Sequence, residues 1–297
     1  MFAVDNPNFS AVLPGPCNAK CSFCTWRASH EEPNSGGFLG AFAMANLLLP
    51  KSFRTLSITG GEPTLSPALA GINTLAGDNR WERVVLTTNG AYLLARLRDG
   101  SLSNVTDINL SRHAVSQAEN NDVFGCAMLA KPGIKSAVNE ARSRNITVGF
   151  NTVVTDPSSL DISGVNEWVE YAIGLGVTRI AFRLDSNLGM ERTILAETQL
   201  IESGVRQRSS SGCPVCISRS YFYHGVELLF KYSVNEPSDT MNYELILHPN
   251  GVISYDWSAK KQYGYGHLRQ KKVVGTAPML PTCGGHGCGS GGYSRGC

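Results

Sequence analysis

Three cysteines stand close together in the segment CNAKCSFC, at Cys17, Cys21 and Cys24. Their order is C-x3-C-x2-C, so three thiols share one short loop. Thiolates in this density bind soft metals. A structural zinc ion takes four ligands, usually as two separated pairs, so a fourth would have to come from elsewhere. An iron–sulfur cube held by three thiolates keeps one iron open, and an open position is what a catalytic metal site needs. Zinc, an iron–sulfur cluster and plain buried thiols all remain open on these residues alone.

These residues have to be positioned by secondary structure. Six apolar, β-rich runs are present: FSAVLPG (9–15), TLSITG (55–60), RVVLTTN (83–89), DINLSR (107–112), ITVGFNTVVT (146–155) and TRIAFRLDS (178–186). Most are nearly continuous in apolar character, as strands covered on both faces are. Helical patterns lie between them. FLGAFAMANLLLP (38–50) reads as a buried helix, KPGIKSAVNEARSRN (131–145) carries Pro132 near its start, and SSLDISGVNEWVEYAIGLG (158–176) ends in glycines suited to a C-terminal stop. Repeated strand–helix units predict a parallel sheet with right-handed crossovers.

Polar residues gather where the predicted strands end. The cysteines follow the first strand, and Gly60-Gly61-Glu62-Pro63 follows the second. Thr88-Asn89-Gly90 ends the third, Ser111-Arg112-His113 the fourth, and Asn151 lies in the fifth. Parallel α/β folds place their sites at the C-terminal ends of strands. Beyond residue 187 the rhythm changes. RQRSSSGCPVC (206–216) reads as a loop with a C-x2-C pair, and NYELILHPNGVISYDW (242–257) as a hairpin around Pro249-Asn250-Gly251. A glycine-rich end holds Cys283, Cys288 and Cys297, and Cys126 is expected to begin an apolar helix and pack in the core. The expected division is 1–187 as a barrel core and 188–297 as a C-terminal extension.

Composition narrows the class. The chain has 297 residues, 42% of them hydrophobic and 17% charged, enough apolar material for a sizeable core. A net charge of +2 gives no field that would favour nucleic acid or an anionic membrane. The N-terminus shows no secretory pattern and the longest apolar run is too short to span a bilayer, which points to a cytoplasmic protein. Nine cysteines in a reducing compartment favour metal binding or catalysis over disulfides.

The three cysteines with an aromatic, Phe23, before the last resemble the signature of the radical S-adenosylmethionine (radical SAM) enzymes. Gly60-Gly61-Glu62-Pro63 is similar to that family's GGEP motif, and Thr87-Thr88-Asn89-Gly90 to its TNG stretch. The resemblance covers roughly residues 9–186 and implies an α/β fold, a partial (β/α)6 TIM-like barrel, here with a small C-terminal α+β extension. It implies a [4Fe–4S] cluster on Cys17, Cys21 and Cys24, whose open iron is chelated by the amino and carboxylate groups of SAM. One-electron reduction then cleaves SAM to methionine and a 5′-deoxyadenosyl radical that abstracts a substrate hydrogen. Phe23, Gly60, Gly61, Glu62, Pro63, Asn89, Ser111, Arg112 and Asn151 are the SAM-contact candidates it supplies. Ser111 would serve the ribose and Arg112 the carboxylate, with a helix cap and a surface charge as the plain readings of those two.

Many relatives carry a second cluster in a SPASM or twitch extension, and Cys213, Cys216, Cys283 and Cys288 are candidates for one, or for zinc. The match is partial, because Tyr255-Asp256-Trp257 stands where such extensions often place a cysteine. The C-N-x-K-C-x-F-C form of the loop looks like viperin-type nucleotide dehydratases, and the auxiliary-cluster pattern points toward molybdopterin-precursor cyclases. A small molecule or nucleotide is therefore the expected substrate. A peptide-modifying maturase is the alternative, disfavoured because only sixteen residues precede Cys17. A non-enzymatic iron–sulfur or zinc scaffold is the third reading, and it would not need the GGEP loop. A one-electron donor such as flavodoxin or ferredoxin is an implied partner.

Overall fold

The structure is a computed structural model, and it describes residues 8–24, 35–77, 80–189, 191–213, 216–233, 244–254, 257 and 262–263. Its centre is one twelve-stranded sheet in the order β12-β11-β10-β1-β2-β3-β4-β5-β6-β9-β8-β7. The strands β1 (Asn8–Leu13), β2 (Thr55–Gly60), β3 (Arg83–Thr88), β4 (Asp107–Ser111), β5 (Thr147–Val154) and β6 (Arg179–Leu184) lie side by side and parallel. All six coincide with the expected runs. The sheet is not closed: it is an open, mostly parallel α/β sheet with flanking helices, the architecture of a partial TIM barrel.

The parallel core continues past β6. On one side β9 (Val226–Ser233) pairs parallel with β6, and β8 (Cys216–Tyr223) and β7 (Gln207–Cys213) follow antiparallel. On the other side β10 (Glu244–Leu247) pairs parallel with β1 and antiparallel with β11 (Ile253–Ser254), as the 242–257 hairpin pattern predicts; β12 (Gln262–Tyr263) pairs antiparallel with β11.

Seven α-helices connect the described strands: α1 (Ser35–Leu48), α2 (Leu69–Leu75), α3 (Leu93–Arg98), α4 (Gln117–Phe124), α5 (Lys131–Ser143), α6 (Ile162–Leu175) and α7 (Leu195–Glu202). Helix α6 shows why such segments become helices. Asp161 caps it by accepting the Gly164 N–H at 2.8 Å, and Val165, Trp168, Val169 and Ala172 form one buried stripe. Gly176 ends it at φ 77°, in the left-handed region a glycine enters without steric cost. The stripe packs on alternate residues of β5 and β6, where Phe150 meets Trp168 at 5.8 Å between ring centroids and Trp168 meets Phe182 at 6.2 Å. The remaining alternate residues of each strand are left for the opposite, concave face.

Two expectations are corrected. Residues 206–216 are not a loop: 207–213 is strand β7, paired antiparallel with β8, with Cys213 and Cys216 as register partners. Its serines give no apolar alternation, so its strand character comes from pairing with β8. Cys126 does not begin a helix. It lies in the connection between α4 and α5, because Gly125 stops α4 in the left-handed region at φ 65°. Cys283, Cys288 and Cys297 lie outside the described residues. Among the described residues no helix is long and apolar enough to cross a membrane.

Candidate active site

The sequence candidates meet at the C-terminal edge of the parallel strands. β1 runs out through Pro14-Gly15-Pro16 into the cysteine loop. Within the loop, Ala19 N–H donates to Cys17 Sγ at 3.4 Å and Cys24 N–H to the Cys21 carbonyl at 3.3 Å. The loop is tied to the end of α4 by a 2.6 Å hydrogen bond from Lys20 N–H to the Phe124 carbonyl. Cys17, Cys21 and Cys24 are all half-buried and none is in a disulfide. Cys17 and Cys21 pack with Cys126 against a small apolar cluster of Ala19, Phe124 and Met128.

The second motif loop lies directly against this entry. A Cβ on Gly61 would sit 2.9 Å from the Pro16 carbonyl oxygen and 3.2 Å from Cys17 Cβ. Gly60 has φ +152°, and a Cβ there would sit 2.8 Å from the Leu13 carbonyl oxygen. Only glycine allows so close a backbone approach. The Glu62 N–H then donates to the Pro16 carbonyl at 3.1 Å.

Glu62 joins the second loop to the third. Its side chain is 2% exposed. Oε1 accepts from Thr64 N–H (2.9 Å), Thr64 Oγ1 (2.6 Å) and Thr88 Oγ1, and Oε2 accepts from Asn89 N–H (2.7 Å). Burial raises the Glu62 carboxyl above its ordinary pKa, while these four donors pull in the opposite direction. Asn89 closes the circuit: its Nδ2 donates to Asn18 Oδ1, inside the cysteine loop, at 2.8 Å. Pro63 opens the single 3-10 turn 63–65 that places Thr64 beneath the carboxylate.

At the end of β4, Ser111 and Asn151 are register partners on the concave face. Arg112 turns away from that face and is buried. Its Nη2 donates to the Val115 carbonyl (2.8 Å), Nη1 to Gln117 Oε1 (3.3 Å), and its guanidinium lies over the Tyr171 ring at 4.9 Å. Its Nε is buried without a partner. Asn89, Ser111 and Arg112 thus meet only around a void of about 10 Å³, room for one water at most.

His113 holds a larger space. Its Nδ1 accepts the Val153 N–H at 3.1 Å, and its ring packs between Phe23 and Phe124, each at 4.8 Å between centroids. Burial lowers its pKa to about 4, so the ring is neutral at physiological pH. A cleft of about 240 Å³ opens here, lined by Lys20, Ser22, Phe23, His113, Val153 and Thr155 among others. It is walled by the aromatic of the cysteine loop and the end of β5.

The donor set can be tested against a metal group. Among the described residues, no three His, Cys, Asp or Glu side chains converge on a single-ion position. A lone tetrahedral ion requires such convergence, whereas a cube takes one thiolate at each of three corner irons. Three half-buried thiols on one loop, beside apolar packing, are a donor set that a cube can take.

Sequence reasoning missed Asn18, Thr64 and the role of His113. Asn18 is visible only as a polar residue between two cysteines, and Thr64 only as the residue after Pro63.

No protein-family model matches the chain. Among curated proteins, it is 27% identical over 174 residues to a probable GTP 3′,8-cyclase of Sulfolobus acidocaldarius, covering 57% of this chain and 53% of that protein. It is 30% identical over 176 residues to a probable GTP 3′,8-cyclase of Saccharolobus solfataricus, covering 57% and 54%. The chain therefore spans about half the length of these relatives. Among solved structures, SuiB of Streptococcus suis bound to the precursor peptide SuiA superposes with a TM-score of 0.58 at 14% identity, covering 92% of this chain and 66% of that one. SuiB bound to S-adenosylmethionine gives 0.56 at 15% identity, covering 91% and 65%. At these identities the likeness is one of fold. The cysteine signature and the two glycine-bearing loops that lock onto it agree with the curated relatives, and over the matched span the chain is similar to radical SAM enzymes.

Proposed function

We propose that this chain is a radical SAM enzyme that reductively cleaves S-adenosylmethionine and abstracts hydrogen from a nucleotide-type small molecule. The observation that carries the reading is the cross-link of the three motif loops through Asn18, Asn89 and Glu62. Three segments far apart in sequence are held as one rigid rim around the thiols, as a preorganised site requires.

Cys17, Cys21 and Cys24 would hold a [4Fe–4S] cluster. When bound together, cluster and SAM supply the electron transfer and the bond cleavage that generate a 5′-deoxyadenosyl radical. The chain's own residues do the rest. The Gly60-Gly61 backbone, with no Cβ in the way, lets the second loop approach the amino acid part of SAM, while the Glu62 carboxylate fixes that loop from behind. Phe23, His113 and Val153 give a cleft otherwise lined by Lys20, Ser22, Asp122 and Thr155 a flat aromatic wall, suited to the adenine. Ser111 and Asn151 present polar atoms on the concave face for the ribose. The hydrophobic packing behind Cys17 and Cys21 keeps water from the thiolates. A one-electron donor of the flavodoxin or ferredoxin type completes the reaction. The nucleotide substrate is supported by the GTP 3′,8-cyclases among the relatives. Cys213 and Cys216, paired at the hairpin end, would anchor a second cluster if Cys283 or Cys288 joins them.

The test is anaerobic incubation of the iron-loaded chain with SAM, dithionite and GTP, with mass spectrometry of the nucleotide pool. A new GTP-derived product formed together with 5′-deoxyadenosine supports the reading. Formation of 5′-deoxyadenosine with every nucleoside triphosphate left intact sinks the nucleotide assignment.

A further inference from the structure

The concave face carries a row of side chains that the cofactor chemistry does not use. Val153 lines the cleft beside His113 and Phe23. Its register partner on β6 is Arg183, whose partner on β9 is Lys231. The partner of Lys231 on β8 is Ser218, and that of Ser218 on β7 is Ser211. Register partners project from the same face of a sheet. One level row therefore leads from the cleft across two cations to two hydroxyls. Arg183 and Lys231 lie toward the C-terminal ends of parallel strands, the same edge as the motif loops.

Neither cation has a carboxylate partner among the described residues. Deeper on this face, Asp107 binds both Arg83 (2.8 Å) and Arg179 (3.2 Å). Arg179 reaches Asp107 by lying across β5 over Gly149, where a Cβ would sit 2.8 Å from Arg179 Nε. Glu227 is the register partner of Arg179, two same-face levels below the row. Asp185, just past Arg183, is occupied by the Asn187 backbone and side-chain N–H groups at 3.0 and 2.9 Å. Among the described residues, the Arg183 and Lys231 side chains make no hydrogen bond and no salt bridge. Like charges directly opposite on neighbouring strands repel. Burial first, then Arg183, Arg179 and Arg83, lower the Lys231 ammonium to about 7, with Cys216 acting in the other direction. A half-buried lysine facing an exposed arginine across one strand pair, with no ion-paired carboxylate among the described residues, is an arrangement that an anion would relieve.

We propose that Arg183 and Lys231, flanked by Ser218, form a phosphate-binding subsite that holds the anionic end of the substrate while its other end lies at the motif rim. The arginine fork matches phosphate oxygens in bidentate fashion, the ammonium adds a point charge, and the serine adds a donor. This rests on the reading that the concave face takes the substrate, and it names the substrate's charged group.

The test is calorimetric titration of the full-length, iron-loaded chain with inorganic tripolyphosphate at low salt. Tripolyphosphate is expected to bind, and Lys231→Met and Arg183→Met are each expected to weaken it about tenfold. Lys231→Arg is expected to retain binding, and SAM binding by all three variants shows that the fold is intact. No tripolyphosphate binding, or binding that neither Met variant changes, overturns the subsite. Binding of citrate in its place, lost in the same variants, overturns the assignment to phosphate. Tripolyphosphate binding with these variant effects, but no turnover of GTP, supports the subsite and sinks only the nucleotide reading.

Discussion

Asn89 bonds two motif loops at once: its side-chain amide donates to Asn18 Oδ1 at 2.8 Å while its backbone N–H donates to Glu62 Oε2 at 2.7 Å. Asn18 belongs to the cysteine loop and Glu62 to the GGEP loop, so the position of the thiols is set through the TNG loop. If so, the Asn18–Asn89 contact is an energetic coupling. In a double-mutant cycle of Asn18→Ala and Asn89→Ala, read by denaturant unfolding, a coupling of about 1 kcal/mol is expected. Additivity of the two losses would show that the contact does not couple the loops.

Glu62 faces four donors and is nearly inaccessible, so its carboxylate holds the rim together. In Glu62→Gln, one acceptor oxygen becomes an N–H donor facing donors. A stability loss of roughly 1–3 kcal/mol is expected, with 5′-deoxyadenosine formation falling in parallel. A variant as stable as the native chain would remove Glu62 from this role.

Glycines on this chain differ in what they permit. Gly61→Ala would place a methyl group 2.9 Å from the Pro16 carbonyl and 3.2 Å from Cys17 Cβ, displacing the entry to the cysteine loop. Iron content and SAM cleavage are expected to fall sharply. Gly40, within α1, has nothing within 4 Å of an added Cβ, and Gly40→Ala is expected to stabilise the protein by about 0.5–1 kcal/mol. Equal effects of the two substitutions on iron loading would contradict the close-approach argument.

His113 is neutral in the folded chain because burial lowers its pKa from 6.5 to about 4. The unfolded chain takes up that proton first as pH falls. His113 therefore contributes stability that is complete above about pH 6.5 and is lost progressively as pH falls toward 4. In the metal-free protein, the melting temperature is expected to fall between pH 7 and 5 more steeply for the native chain than for His113→Leu. An NMR titration placing the His113 pKa near 6.5 would refute the assignment.

Much of the fold is legible locally. TLSITG (55–60) is β2 residue for residue, and the glycine stop at Gly176 ends α6 as expected, since apolar runs and caps act within a few residues. The five strand ends that hold the candidate site residues follow directly. What was not legible depends on partners distant in the chain. Strand β7 is mostly polar and exists through its pairing with β8. The Asn18–Asn89 bond spans 71 residues, and the facing of Arg183 and Lys231 needs the β6–β9 register. Cys126 differs from these: the stop that keeps it out of a helix is local, the left-handed Gly125 immediately before it.

Cys17, Cys21 and Cys24 are proposed to hold the cluster at which SAM is cleaved. The most direct measurement is 5′-deoxyadenosine by mass spectrometry after anaerobic iron and sulfide reconstitution with dithionite and SAM, with iron counted on the same samples. It compares the native chain with the variant in which all three cysteines are alanine. The native chain is predicted to form 5′-deoxyadenosine with about four irons bound, or about eight if the later cysteines hold a second cluster. The variant is predicted to form none, keeping iron only if that second cluster exists. Cleavage of SAM by the triple variant would contradict the account.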